Sequence, residues 1–439
     1  MPKNADAELA PELPSQHRPE AVAATPDPNR DPRQAPKAPA SIAAAAALFA
    51  ASNPLQAQTP YVPSGTGSPG PGLPNTNLPA DYNLTGVLGD ETFDTFGCKV
   101  WKASPATPDW QQASVYFERK FYEKNDFQLP NGGRITIWGF EDTLKSKGQN
   151  IYPSPIIRVS EGDMVHVKLD QKKGTHTIHH HGIEPTTMND GVGHVSFEVE
   201  DTYIYQWQPR HAGTWFYHCH KNTPVHFEYG MFGLLVVDPP KIRFNGYDRV
   251  PAFKGGPIYD VEAFWVADDM DPRWHTMHQE AGLCGEDDGL NVFRPQYFFI
   301  SGIANTQTMT STKVAVNARL GDKILIRLLN ASYGVLALTF EKLDVEVISV
   351  DGHSLGGPEK PWNRPFTIPK GQTIHLASAS RYDLLIDTAQ LGATLAANLV
   401  DTVRFEFQDW VTRKVHNATS SSAWQRGLAS TTITVRRPA

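Results

Sequence analysis

Three consecutive side chains, His218-Cys219-His220, restrict the backbone of this chain more than any other feature. All three are metal-binding types. In an extended strand successive side chains alternate between faces, so His218 and His220 share one side and Cys219 takes the other. A second segment, His176-Thr-Ile-His-His-His-Gly182, repeats the pattern: His179 and His181 share a side and His180 opposes them. Two such His-x-His pairs on adjacent strands bring four imidazoles to one place. Cys219 then faces a separate, internal site together with His176, His226 and Met231.

The surroundings have the period of strands. Ser114-Val-Tyr-Phe-Glu118, Arg134-Ile-Thr-Ile-Trp138, Ile156-Ile-Arg-Val159 and Met164-Val-His-Val-Lys-Leu169 are short and rich in β-branched and aromatic residues. Tyr203-Ile-Tyr-Gln-Trp207, Gly213-Thr-Trp-Phe-Tyr217 and Gly233-Leu-Leu-Val-Val237 continue the series. Each is bounded by turn formers, and no long helical period competes. Pro239-Pro240 closes this unit. A second β-rich stretch includes Lys313-Val-Ala-Val316, Lys323-Ile-Leu-Ile-Arg-Leu-Leu329, Val345-Glu-Val-Ile-Ser-Val350, Thr373-Ile-His-Leu376 and Tyr382-Asp-Leu-Leu-Ile386. Gly162-Asp163 and Gly321-Asp322 each precede a strand, a shared lead-in that suggests two similar domains. The expectation is an all-β chain of two β-sandwich or barrel domains, residues 81–240 and 241–439, because 439 residues suffice for two cores.

Residues 1–80 read differently, as leader and linker. Residues 1–40 are rich in Pro, Ala and charge without an apolar period, the composition of a disordered leader. An Ala-rich apolar run over 40–51 follows Arg30, Arg33 and Lys37 and precedes small residues up to Ala57. That is the layout of a secretory signal, and it is too short to span a bilayer. Pro and Gly between 58 and 80 form a flexible linker. A periplasmic or secreted protein follows. The net charge of -7, with 20% charged residues, gives no argument for nucleic acid or for an anionic membrane surface. Of the three cysteines, Cys98 and Cys284 fall outside the histidine cluster. They either pair in an oxidising compartment or stay as buried thiols.

One thiolate, one thioether and several imidazoles suit a soft, redox-active ion. A His₂Cys set with a weak axial Met is the ligand set of a blue-copper electron-transfer centre, so copper is the expected cofactor. Zinc would accept the same imidazoles but gives no reason for Met231. The flanking His218 and His220 place a second copper group one residue from the sulfur, a short through-bond route for an electron. Trp207, Trp215 and Tyr217 read as core, Glu198 and Glu200 as solvated strand faces, and His194 and His211 as turn or surface residues. Asp190 either orients a ligand or forms a turn before Gly191.

Thr175-His-Thr-Ile-His-His-His-Gly-Ile183, Asn189-Asp-Gly-Val192, Gly213-Thr-Trp-Phe-Tyr-His-Cys-His220 and Tyr229-Gly-Met-Phe-Gly-Leu-Leu-Val-Val237 resemble the first cupredoxin domain of the multicopper oxidases, the laccase-like family. Residues 313–387 resemble a further cupredoxin domain of that family through Asn330-Ala-Ser332, Val350-Asp-Gly352 and Arg381-Tyr-Asp-Leu-Leu-Ile-Asp387. The resemblance implies two cupredoxin-like Greek-key domains. It implies that His176, Cys219, His226 and Met231 are type 1 copper ligands, with Met231 axial. It makes His179 a type 2 ligand and His181, His218 and His220 type 3 ligands of a trinuclear cluster. The implied activity is a copper-dependent oxidoreductase. A small reductant docks near an exposed edge of His226, Cys219 relays single electrons through His218 and His220, and dioxygen becomes water.

The sequence also departs from that family. A full trinuclear cluster there takes eight histidines as four His-x-His pairs, and this chain has two pairs. After His226 come only His275, His278, His353, His375 and His416, none of them in such a pair. Type 1 ligands in the first domain fit the two-domain relatives, which are trimers sharing clusters between subunits. Three readings stay open. One is an oxidase whose cluster is completed in a homo-oligomer, as a trimer or as a face-to-face dimer. The second is a blue-copper electron carrier, and the third a copper-binding protein without turnover. Copper nitrite reductases share the His176-x₄-His181 spacing, but His179 stands where that family has an acid.

Overall fold

A computed structural model describes residues 102–103, 112–145, 152–170, 173–282, 288–357, 362–392 and 395–437. The expected leader, signal and linker, and both Cys98 and Cys284, lie outside the described residues.

The first lobe comprises β1 (Val115–Gln128), β2 (Arg134–Asp142), β3 (Ser154–Ser160), β4 (Val165–Asp170), β5 (His179–His181), β6 (Thr202–Trp207), β7 (Gly213–His218), the short helix α1 (Thr223–Glu228) and β8 (Phe232–Asp238). They form two four-stranded sheets, ordered β2-β1-β4-β6 and β3-β8-β7-β5. Phe117, Phe140, Val167, Tyr203, Tyr217 and Leu235 fill the core that both sheets supply.

Strand β7 explains why this sequence carries an unbroken buried run. Every residue from Gly213 to His218 is buried, because both faces of the strand are covered. Trp215 and Tyr217 enter the first core. Phe216 enters a separate apolar cluster with Phe232, Leu234, Val266, Met270 and Phe299. That cluster is the seam between the two lobes. Thr214 also faces the seam, where its hydroxyl donates to Asp383 and accepts from Arg327 Nη1 at 3.1 Å.

The second lobe comprises β9 (Val261–Met270), β10 (Tyr297–Ile300), β11 (Val316–Arg319), β12 (Lys323–Asn330), β13 (Val335–Phe340), β14 (Val345–Val350), β15 (Thr373–Leu376), β16 (Arg381–Asp387), β17 (Leu399–Gln408) and β18 (Leu428–Arg436). One sheet runs β10-β9-β12-β16-β14, extended by short strands, and the other β11-β18-β17-β13-β15. Trp265, Ile326, Leu338, Phe405 and Ile433 share the core. The two Gly-Asp lead-ins form the same turn. Asp163 Oδ2 accepts from the Ser160 N–H and Asp322 Oδ2 from the Arg319 N–H, each at 2.7 Å. Gly162 and Gly321 take φ values of 82° and 96°, where glycine has no steric penalty. The expected strand over 313–316 begins only at Val316. The residues before it turn, with the Ala315 N–H bonded back to Ser311 O at 3.1 Å. The Val314 carbonyl there accepts the Trp265 indole N–H at 2.9 Å.

Charges cross the seam as well. Arg158 binds Asp238 and Glu262, each at 2.7 Å, and the buried Arg327 binds Glu262 at 2.7 Å and lies 3.5 Å from Asp383. Deleting Glu262 would strip the fully buried Arg327 of its closest partner, at a cost of about 3–5 kcal/mol. Deeper in the seam, Tyr152 hydrogen-bonds Asp268, Glu228 Oε1 accepts the Asp271 N–H at 2.6 Å, and Asp269 Oδ1 accepts the Tyr333 N–H at 2.9 Å. Burial pushes Glu228 and Asp268 well above the usual carboxylate range and lifts Asp269 from 3.8 to about 7. A carboxyl with a raised folded-state pKa holds a proton that the unfolded chain releases. Its contribution is therefore fully present below the unfolded value of 3.8 and declines as pH rises to about 7. The buried His181 and His226, drawn down to about 3, act in the opposite sense on the total stability. Urea unfolding of the metal-free wild type and of Asp269→Asn should therefore show the variant gaining stability relative to the wild type between pH 5 and pH 8, and a constant difference would contradict the assignment.

Candidate metal centre

The structure gathers the candidate ligand residues into two groups. In the first core, the donor atoms of His176, Cys219 and His226 lie within 4.8 Å of one another, and all three residues are buried. Cys219 Sγ is 3.3 Å from His226 Nδ1 and 3.8 Å from His176 Nδ1, and the two Nδ1 atoms are 3.3 Å apart. Two donors held at about 2.0–2.3 Å from one ion are separated by roughly such distances. Each imidazole is fixed from behind. His176 Nε2 is 3.2 Å from Lys173 O, and His226 Nε2 is 3.2 Å from Gln279 O. A carbonyl only accepts, so each Nε2 carries the proton and each Nδ1 offers a bare lone pair toward the sulfur. Phe121 stacks on His176 at 4.3 Å and Trp138 meets His226 edge-on at 5.3 Å. Met231 is fully buried in the same core. Its N–H bonds His226 O at 3.1 Å and its carbonyl accepts the Cys219 N–H at 3.0 Å, which ties the three residues together. Burial pushes the Cys219 thiol up to about 11. Burial, with the Lys221 charge second, pulls His226 down to about 3.

On the seam side, His179 pairs with His218 across the β5–β7 ladder. The donor atoms of His179, His181 and His218 lie within 4.8 Å of one another. His220 does not join that trio but lines the same cavity of about 280 Å³, with rings 5.2 Å from His179 and 5.6 Å from His218. His179 Nδ1 is 2.7 Å from Asp190 O, and His218 Nδ1 is 2.9 Å from Cys219 O. By the same carbonyl argument both rings offer Nε2 to the cavity. Burial, then the Arg381 charge, lowers His181 to about 3. His180 points the other way, into the core, with its ring 4.8 Å from Trp207.

Several expectations change. His226 has no exposed edge: it is fully buried beneath the segment that follows Met277. Asn222 Nδ2 donates to Gln279 O and Ala281 O at 3.0 and 2.9 Å, and the Tyr229 hydroxyl donates to Met277 O at 2.8 Å. These contacts close the cover. Glu198 is not a solvated strand residue but is 2% exposed, because the His176–Val199 bridge draws it into the lobe. Its carboxylate accepts the Thr175 hydroxyl at 2.5 Å. Glu200 is exposed as expected. Asp190 sits behind His179, with its carboxylate 3.3 Å from His179 Nδ1. His275 binds Thr136 O at 2.7 Å while the His278 side chain is 65% exposed, and they form no joint site. Sequence reasoning missed Lys221, Gln279 and Glu280. A lysine beside His-Cys-His is visible in the sequence, but its burial is not.

Residues 145–242 match the family model for multicopper oxidase. The chain carries a multicopper oxidase domain. Copper resistance protein A of Escherichia coli is 32% identical over 325 residues, which is 64% of this chain and 49% of that protein. An L-ascorbate oxidase of Cucumis sativus is 32% identical over 160 residues, 34% of this chain and 24% of that one. The chain thus spans about half the length of the first relative and a quarter of the second. Among solved structures, a blue copper oxidase from Nitrosomonas europaea aligns with a TM-score of 0.53 and 22% identity, covering 73% of this chain and 86% of that one. That likeness establishes the cupredoxin-like fold of the all-β lobes. The nitrogen, sulfur and imidazole donors of the multicopper oxidase domain fit copper, with softness at the sulfur site and nitrogen alone at the other.

Gly191 positions one of these nitrogens. Its φ is +71°, and a Cβ there would lie 2.0 Å from Ile178 O and 2.9 Å from His179 N. Gly191→Ala should therefore displace His179 and destabilise the fold by about 1–3 kcal/mol. Copper analysis with absorption spectra should show loss of histidine-site copper while the blue colour persists. The opposite pattern would contradict the placement.

Proposed function

We propose that the protein is a copper-dependent oxidoreductase of the multicopper oxidase type, taking single electrons from a small reductant and passing them to dioxygen, which becomes water. One observation carries this reading: the Cys219 sulfur lies in a two-histidine pocket while its neighbours His218 and His220 line the other pocket. His176, Cys219, His226 and Met231 would hold the type 1 ion. His179, His181, His218 and His220 would hold the second, type 2 or type 3, group. Bound copper supplies one-electron chemistry at both places. The chain's own residues do the rest. Carbonyls of Lys173, Gln279, Asp190 and Cys219 keep one nitrogen bare on His176, His226, His179 and His218. Phe121 and Trp138 exclude water from the sulfur site. A reductant would dock on the cover, and electrons would cross the Gln279–His226 hydrogen bond.

The other wall of the histidine cavity is formed by Ala331, Tyr333, Ser378 and Ala379, and none of them is an imidazole. We therefore infer that a homo-oligomer completes the cluster, as a dimer or a trimer. The alternative favoured by the same wall is a blue-copper electron carrier. Each lobe is taken as one domain, with the boundary at Pro239-Pro240. A periplasmic or secreted location is supported by the basic and Ala-rich leader. Among the described residues no helix is long and apolar enough to cross a membrane.

Copper content, particle mass and oxygen uptake test the reading together. An oligomer with more than two coppers per chain, blue and oxygen-consuming, is expected. Cys219→Ser should lose the colour and at least about a hundredfold of the uptake. Uptake retained without the thiol would sink the proposal, and a blue monomer that consumes no oxygen would establish the electron carrier.

A further inference from the structure

Lys221 is a buried cation outside the ligand set. Its side chain is 1% exposed. The ammonium donates to Thr175 Oγ1 at 2.6 Å and to Glu280 Oε1 at 2.5 Å, and lies 3.5 Å from Glu198 Oε2. Each partner adjoins a residue that touches the sulfur site. Thr175 precedes His176. Glu198 precedes Val199, whose main chain bridges to His176. Glu280 follows Gln279, whose carbonyl accepts from His226. The charge is therefore wedged between the flanks of both imidazoles, where water is excluded and a charge acts through a low dielectric. Its two carboxylate partners differ: the Glu198 side chain is 2% exposed and that of Glu280 44%.

We propose that Lys221 raises the reduction potential of the ion held by His176, Cys219 and His226, and that Glu280 offsets part of that rise. The proposal rests on the copper assignment above. Reduction adds one electron, drawn from the reductant, and takes Cu(II) to Cu(I) with no bond made or broken in the chain. A fixed positive charge favours the reduced, less positive site, and a fixed carboxylate favours the oxidised one. The competing role for Lys221 is mechanical, as a latch that holds the cover through Glu280. The two roles predict different signs. A lost latch frees the cover whichever partner is removed, so both variants would shift the potential the same way. A lost field shifts it in opposite directions.

The test is a redox titration of the blue absorption in copper-loaded wild type, Lys221→Met, Lys221→Arg and Glu280→Gln. Lys221→Met should shift the oxidised-to-reduced equilibrium about tenfold toward the oxidised form, about 59 mV lower for one electron. Glu280→Gln should raise the potential by less, because its carboxylate is partly hydrated. Lys221→Arg should stay near wild type. Shifts of the same sign, or none, overturn the proposal. Should Lys221→Met fail to fold, Glu280→Gln decides alone: a rise supports the proposal, and a fall or no change overturns it. A wild type that never turns blue overturns the copper assignment and this proposal with it. A blue wild type indifferent to both charges overturns only the role of Lys221.

Discussion

The arrangement of both candidate metal sites depends on one strand buried on both faces. From Gly213 to His218 no residue of β7 reaches solvent, so the alternation of side chains separates two interiors instead of an inside and an outside. Trp215, Tyr217 and Cys219 belong to the first core, while Thr214, Phe216 and His218 face the seam. Register makes the separation rigid, because a one-residue slip would exchange every side chain between the two interiors. The β8 pairing opposes that slip, with Leu235 opposite Trp215 and Phe232 opposite His218. The sulfur and imidazole sites are thus near neighbours, yet no side chain belongs to both.

Burial then does for the ligands what coordination geometry alone cannot. A buried imidazole needs a partner for its N–H, and main-chain carbonyls supply it at His176, His226, His179 and His218. Satisfying one nitrogen with an acceptor leaves the other with a lone pair and no proton. The tautomer follows from hydrogen-bond accounting in the first lobe, with one carbonyl, that of Gln279, arriving from beyond β9. This carbonyl is also the contact that covers His226. Orientation of the ligand and closure of its edge are consequences of one hydrogen bond.

The sequence made alternation legible because His-Cys-His and His-His-His are unambiguous once read as extended chain. Period two separates Cys219 from His218 and His220, and His180 from His179 and His181; His176, His226 and Met231 were joined to the sulfur by donor chemistry and by the family resemblance, not by alternation. The matching turns at Gly162-Asp163 and Gly321-Asp322 were legible for the same local reason. What could not be read is tertiary. Nothing local says that Glu198 is drawn in by the His176–Val199 bridge, that Lys221 is buried between carboxylates, or that residues 277–281 fold back over His226. The strand expected at 313–316 failed at its first three residues because Val314 is recruited by Trp265, from a strand distant in sequence.

The histidine cavity shows what the seam permits. Its first wall is fixed by β5 and β7, by the stacking of His181 on Phe216 at 4.3 Å, and by Phe216 within the seam cluster. Its second wall contains Ala331, Ser378 and Ala379, small residues that offer no imidazole. Three further histidines of the described chain are engaged elsewhere. His353 lines a different cavity, beside Trp215, His275 is held by Thr136, and His416 packs against Phe298. Four imidazoles are too few for three ions that each need two or more nitrogens and a way in for dioxygen. On the proposed oxidase reading, the number of ions at this site would be set by what approaches the seam from outside, and assembly would be the variable on which oxygen chemistry turns.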